Sequence, residues 1–236
     1  MLYAGRMSPS ELPPAVQEHL LETAAWLEQL PPLSMDAAAL PRTAIVVVDI
    51  LEGFTRQGAL ASPRVEGIIA PSVELLRRAL AAGLQPSQVA LMADDHPKDA
   101  EEFRAFPPHC VQHTTEADWV PEVLALPQAA EFRRFTKNSV ASHHTPELED
   151  WLDAQAPELI IALGDVTDLC LYSLGLHLQT RTQTRGLGQR IIIPASCVQT
   201  WDAPDHPAEL YHPLFLRQLS RIGAEVVADI YWPAVQ

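Results

Sequence analysis

Apolar residues in this chain fall into short unbroken runs, separated by longer stretches in which they recur at helical spacing. The run at 43–48, Thr43-Ala44-Ile45-Val46-Val47-Val48, is apolar or β-branched at every position and stops at Asp49. A strand with one wet face alternates apolar and polar residues, so a continuous run predicts a strand covered on both faces. Similar short runs at 88–93, 159–163, 190–194 and 224–228 predict four more strands, and a shorter strand near 132–136 makes six. Between them, apolar residues every three to four positions predict helices over 65–82, 145–156, 169–184 and 208–222. Strands alternating with helices predict a doubly wound α/β fold, an open, mostly parallel six-stranded sheet with helices on both faces. Ahead of it, Val16, Leu20, Leu21, Ala24, Trp26, Leu27 and Leu30 mark an amphipathic helix, and Pro31, Pro32 and Pro41 bracket a connector that is not regular helix. The division expected is an N-terminal helical extension at 1–40 and one domain at 41–236.

In open α/β sheets ligands bind beyond the carboxyl ends of the strands. Asp49, Asp94, Lys137, the stretch from Gly164 and Ser196 each fall just past a predicted strand. In Gly164-Asp165-Val166-Thr167-Asp168-Leu169-Cys170, Thr167 or Asp168 is placed to cap the following helix, which puts Cys170 in its first turn. Free N–H groups and partial positive charge there lower a thiol pKa and stabilise an oxyanion. On spacing alone Cys170 reads either as a nucleophile or as an inert core cysteine. Gly-x-Gly occurs once, at 186–188, before a strand instead of after one, so the dinucleotide-binding fingerprint is absent.

Charge narrows the partners. Sixteen basic against thirty acidic residues give a formal charge of −14, which repels phosphate backbones and anionic lipid headgroups. Nucleic acid and membrane surfaces are therefore not expected. Three cysteines spread widely along 236 residues do not form a disulfide framework, and a reducing cytoplasm fits them. No apolar run reaches the roughly 18 residues that span a bilayer, and the early Glu11 and Glu18 do not fit a signal peptide.

The stretch ending at Cys170 resembles the Gly-x-x-Thr-Asp-x-Cys nucleophile motif of the isochorismatase-like cysteine hydrolases, the superfamily that includes nicotinamidases. Four other stretches match the family in the same order: Val46-Val47-Val48-Asp49 with Phe54, Asp94-Asp95-His96-Pro97, Pro107-Pro108-His109-Cys110, and Phe135-Thr136-Lys137. The resemblance covers about 43–202. It implies a catalytic triad of Asp49, Lys137 and Cys170, and a cis peptide bond between Asp165 and Val166. It also implies an oxyanion hole from the Val166 and Cys170 N–H groups, and Phe54 against the substrate. One divalent metal is implied on Asp94, His96 and His109, with zinc first and iron or manganese as the other choices. Leu51 stands where glutamine is usual, Ala100 where histidine is frequent, and Ala141-Ser142-His143 where Ser-Ala-Phe is expected.

The segments at 48–54, 107–110 and 196–202 look like the plant-type nicotinamidase branch. The reaction implied is nicotinamide to nicotinate and ammonia through a thioester on Cys170, by a homo-oligomer or a single chain with a small-molecule amide as its partner. The alternatives are a sister enzyme for another small amide, such as a carbamoyl amine or ureido compound, and a non-catalytic member of the fold. Cys110 and Cys197 read as packing residues and His143 and His144 as a solvated loop. Trp119, Phe54 and Trp201 read as core first and as an aromatic wall second.

Overall fold

The longest continuous apolar runs form strands, and the three central ones are buried along their whole length. In the computed structural model, which describes residues 12–233, the chain opens with α1 (Pro14–Glu28) and the short β1 (Leu33–Ser34). It continues through β2 (Thr43–Val48), α2 (Glu52–Thr55), α3 (Pro63–Glu66), α4 (Ile69–Ala81), β3 (Val89–Asp94), α5 (Pro121–Leu124) and β4 (Arg133–Lys137). Then follow α6 (Pro146–Gln155), β5 (Leu159–Asp165), α7 (Cys170–Arg185), β6 (Arg190–Pro194), β7 (Val198–Gln199), α8 (Ala208–Arg221), β8 (Glu225–Val227) and β9 (Ile230–Tyr231). Residues 1–11 of the expected extension, Glu11 among them, and 234–236 of the expected domain lie outside the described residues.

The main sheet runs β4-β3-β2-β5-β6-β8, every pair parallel. A seventh strand, β7, pairs with the last two residues of β5, so the sheet has seven strands and not six. Its two residues are too few to show any periodicity. Every residue of β2, β3 and β5 is buried, as strands covered on both faces require. The edge strand β4 instead exposes Arg133 and Arg134, charges that discourage pairing with another chain. α7 packs on α8, and α1 lies against α8. β1 pairs with β9 as a separate two-stranded sheet. Among the described residues no helix is long and apolar enough to cross a membrane.

The helix expected over 65–82 is broken into α3 and α4. Pro71 has no N–H for the Gly67 carbonyl four residues earlier, so the helix stops and restarts with Pro71 in its first turn.

Strand register sets up the site. Val48 is level with Met92 and with Gly164, and Asp94 is level with Lys137, so β2, β3, β4 and β5 end side by side. β2 and β5 approach so closely there that a Cβ on Gly164 would sit 1.9 Å from the Val48 carbonyl oxygen; Gly164 has φ +118.

Candidate active site

Asp49 is the first residue past β2 and adopts φ 58, a left-handed conformation that aspartate tolerates better than most residues. Its carboxylate is thereby held at the sheet edge: Oδ1 accepts the Asp94 backbone N–H at 2.8 Å, and Oδ2 lies 2.7 Å from Lys137 Nζ. The same ammonium donates to Asp94 Oδ1 at 2.6 Å and lies 3.5 Å from Cys170 Sγ. Cys170 is the first residue of α7. One carboxylate oxygen from each of Asp49 and Asp94 and the Cys170 sulfur all fall within 4.8 Å of one another. Asp49, Lys137 and Cys170, named from three distant parts of the sequence, are thus brought together.

Burial decides the proton positions. It pushes Asp49 up to about 7, helped by the Asp94 charge and opposed by Lys137. For Lys137 burial works against the charge, but Asp49, Cys170 and Asp94 outweigh it and hold the ammonium well above its ordinary value. Cys170 goes the opposite way from the sequence expectation of a depressed thiol pKa. Burial pushes the thiol well up, Lys137 offsets only part of that, and Asp49, Asp94 and Asp165 add to the rise. Cys170 therefore rests as a thiol beside a carboxyl whose pKa lies near neutrality, an acid–base pair in which Asp49 is the acceptor.

The expected cap on α7 is also corrected. Its N-cap is Leu169, with no side-chain cap bond. Asp168 lies one residue too early, and its carboxylate instead accepts from Thr200 Oγ1 at 2.5 Å and meets His206 Nε2 at 2.7 Å. Thr167 Oγ1 pairs with His212 Nδ1 at 2.8 Å. The Asp165–Val166 peptide bond is cis. Among the described residues neither the Val166 nor the Cys170 N–H donates to a protein acceptor.

Asp94, His96 and His109 offer three ligand atoms within 4.8 Å of one another, all on buried side chains. His96 Nδ1 bonds to Asn138 Oδ1 at 2.8 Å and His109 Nδ1 to the Pro107 carbonyl at 2.8 Å. Those acceptors fix each proton on Nδ1 and leave both Nε2 lone pairs facing Asp94, at 3.4 and 3.9 Å from its oxygens. His96 Nε2 is buried with no hydrogen-bond partner. One carboxylate and two imidazoles so arranged can hold a divalent cation with open positions. Asn138 was not singled out from the sequence; its only signal is that it follows Lys137.

Asp94, His109 and Cys170 line a cavity of about 370 Å³, in the range of small-molecule sites. Phe54 lines it, with its ring 5.5 Å from that of His109, and Phe106, which the sequence reading passed over, lines it too. Asp165, Val166 and Trp201 complete the wall beside Cys170. Trp201 stacks on His206 at 3.6 Å, and His206 in turn on Tyr211 at 3.9 Å. Trp119 does not line this cavity; its backbone bridges to Leu51, which is fully buried. Ser196, also just past a strand, faces Cys197 and Asp229. Burial holds Cys197 up at about 11 and Cys110 higher still, so both remain thiols. His143 is stacked on His177.

Residues 43–227 match the isochorismatase domain. Nicotinamidase 1 of Arabidopsis thaliana is 27% identical over 214 residues, covering 79% of this chain and 85% of that one. The pyrazinamidase of Pyrococcus horikoshii, solved in complex with zinc, superposes with a TM-score of 0.63 at 22% identity, covering 79% of this chain and 99% of its own. N-carbamoylsarcosine amidase of Thermoplasma acidophilum gives a TM-score of 0.63 at 21% identity, covering 79% and 95%. The chain belongs to the isochorismatase-like hydrolases and is an amidohydrolase of that family.

Proposed function

We propose that this protein hydrolyses nicotinamide to nicotinate and ammonia, with Asp49, Lys137 and Cys170 as its catalytic residues. The observation that carries the reading is the Lys137 ammonium, bound between Asp49 and Asp94 and 3.5 Å from the Cys170 sulfur. Asp49 takes the thiol proton and Cys170 Sγ attacks the carboxamide carbon. The Val166 and Cys170 N–H groups receive the negative oxygen. Asp49 returns the proton to the amide nitrogen, the C–N bond breaks and ammonia leaves, with the acyl group held as a thioester. Water, deprotonated by Asp49, then attacks the thioester, and nicotinate departs as Cys170 recovers its proton.

Asp94, His96 and His109 are the residues that would hold a divalent metal, zinc first, which when bound supplies a Lewis-acid position for the ring nitrogen. Phe54 packs against the ring. The same reading takes residues 1–40 as an extension of a hydrolase domain at 41–236. It places the protein in the cytoplasm, without nucleic-acid or membrane partners. The test is ammonia release from nicotinamide, benzamide and a carbamoyl amine by the purified protein. Nicotinamide is expected to be turned over fastest. Preference for the carbamoyl amine would transfer the same chemistry to a different amide.

A further inference from the structure

One wall of the cavity comes from a loop and not from the sheet edge. Trp201, Asp202 and Ala203 line it, and they lie between β7 and α8, in the kind of connecting segment that is ordinarily mobile. This loop is pinned from inside by His206. The imidazole stacks on the Trp201 indole with ring centroids 3.6 Å apart and planes 9° from parallel, and on Tyr211 at 3.9 Å and 19°. Two rings so close and so nearly parallel to it occupy its opposite faces. In its own plane the ring is held at both nitrogens: Nδ1 donates to the Trp201 carbonyl at 3.1 Å, and Nε2 meets Asp168 Oδ2 at 2.7 Å. Asp168, two residues before Cys170, also accepts from Thr200 Oγ1. Ala203 and His206 exchange backbone hydrogen bonds at 3.0 and 2.9 Å, which closes the loop on itself.

The array has a direction. Asp168 ties it to the segment that carries Cys170, Tyr211 backs it from α8, and its end in the cavity is Trp201, which stays partly exposed while His206 is buried. Phe54 and Phe106 meet the cavity on the side of His109, with ring centroids 5.5 and 6.2 Å from that imidazole. Trp201 adds an aromatic surface from a different part of the chain, at a place fixed relative to the nucleophile through Asp168. Filling the space beneath the indole needs only an apolar side chain; a histidine bonded at both nitrogens fixes its angle as well. A flat aromatic acyl group gains from a ring held in this way, since aromatic pairs are favourable beyond the area they bury, and an aliphatic acyl group has no such gain. We propose that Trp201 is a specificity-determining residue that selects aromatic over aliphatic acyl groups, and that His206 is the positioning residue that holds its indole in place.

The inference rests on the proposed nicotinamide hydrolysis, and the test separates the two. Values of kcat and KM are measured for nicotinamide, benzamide and the aliphatic isobutyramide with wild type, Trp201→Phe, Trp201→Ala, His206→Ala and the double variant Trp201→Ala/His206→Ala. Trp201→Ala is expected to raise KM for both aromatic amides about three- to tenfold, the size of one lost aromatic pair, with kcat little changed and isobutyramide unaffected. Trp201→Phe, which keeps an aromatic face, is expected to retain most of the preference. His206→Ala is expected to raise the same KM values, and to add little to them in the Trp201→Ala background, because its effect passes through the indole. Where His206→Ala does not fold, His206→Gln, which keeps a polar edge without a ring, replaces it with the same outcomes. An aromatic preference undiminished in Trp201→Ala overturns the inference and leaves the hydrolysis of nicotinamide standing. A His206→Ala protein that loses kcat with KM unmoved, or whose KM rise is repeated in full in the double variant, makes His206 purely structural and overturns its positioning role. Release of ammonia by wild type from none of the three amides overturns the nicotinamide reading and the inference together.

Discussion

Replacing Lys137 with methionine tests whether one ammonium holds the site together. Asp49 and Asp94 are both essentially inaccessible, and Lys137 lies 2.7 and 2.6 Å from their oxygens. At an effective dielectric of about 20, each contact is worth roughly 6 kcal/mol before desolvation, which cancels most of it. Removing the cation alone leaves two buried carboxylates uncompensated, a loss of about 3–5 kcal/mol. At about 2–4 °C per kcal/mol for a chain of this length, Lys137→Met should melt roughly 6–20 °C below wild type in chelator at pH 8. Chelator is included so that no other cation offsets Asp94. The double variant Asp49→Asn/Lys137→Met loses another charged group yet removes one of the orphaned charges. Its amide oxygen can still accept the Asp94 N–H, a 2.8 Å bond in wild type. It should therefore be more stable than Lys137→Met alone, an inversion that only a coupled pair produces. Urea or thermal unfolding of the four proteins in the cycle reads this directly. A Lys137→Met protein within about 1 kcal/mol of wild type, or a double variant less stable than the single one, would refute the reasoning.

Asp49→Asn should lower kcat for ammonia release by about 10²- to 10⁴-fold and slow iodoacetamide labelling of Cys170 while leaving the fold intact; near-normal turnover would remove Asp49 as the base. His109→Ala, which deletes one of three converging ligand atoms, should lose bound divalent metal by elemental analysis while Cys170 still alkylates; full metal retention would dissolve the proposed site. His212 is held down at about 4 by burial and the Arg64 charge, against an ordinary value of 6.5. The unfolded chain therefore binds the extra proton first, and stability falls as pH drops from about 6.5 toward 4, by about 3 kcal/mol in all. His212→Asn should flatten that part of the pH–stability curve, and an unchanged curve would assign the acid sensitivity elsewhere.

The five longest runs of apolar residues became strands because a buried parallel strand has no polar face to obscure it. Asp49, Asp94 and Lys137 were legible for a related reason: register carries the first polar residue after such a run, or the last within it, to the carboxyl edge. What escaped the sequence depends on tertiary distance. β7 is two residues long and exists through its pairing with β5. The capping role read into Asp168 was lost to Thr200 and His206, more than thirty residues away, which no local pattern reveals. The protonation of Cys170 followed burial instead of its place at a helix start. The unpaired oxygen of Asp165 could not be read at all, because an aspartate among apolar residues looks the same whether its partners are present or missing.

The central claim is that Cys170 is the nucleophile of an amidase acting on nicotinamide. Steady-state ammonia release from nicotinamide by wild type and Cys170→Ala, measured side by side with melting curves to confirm folding, tests it most directly. The account predicts turnover by wild type and none above background by a folded Cys170→Ala protein. Comparable ammonia release by the two proteins, or none by wild type, would contradict it.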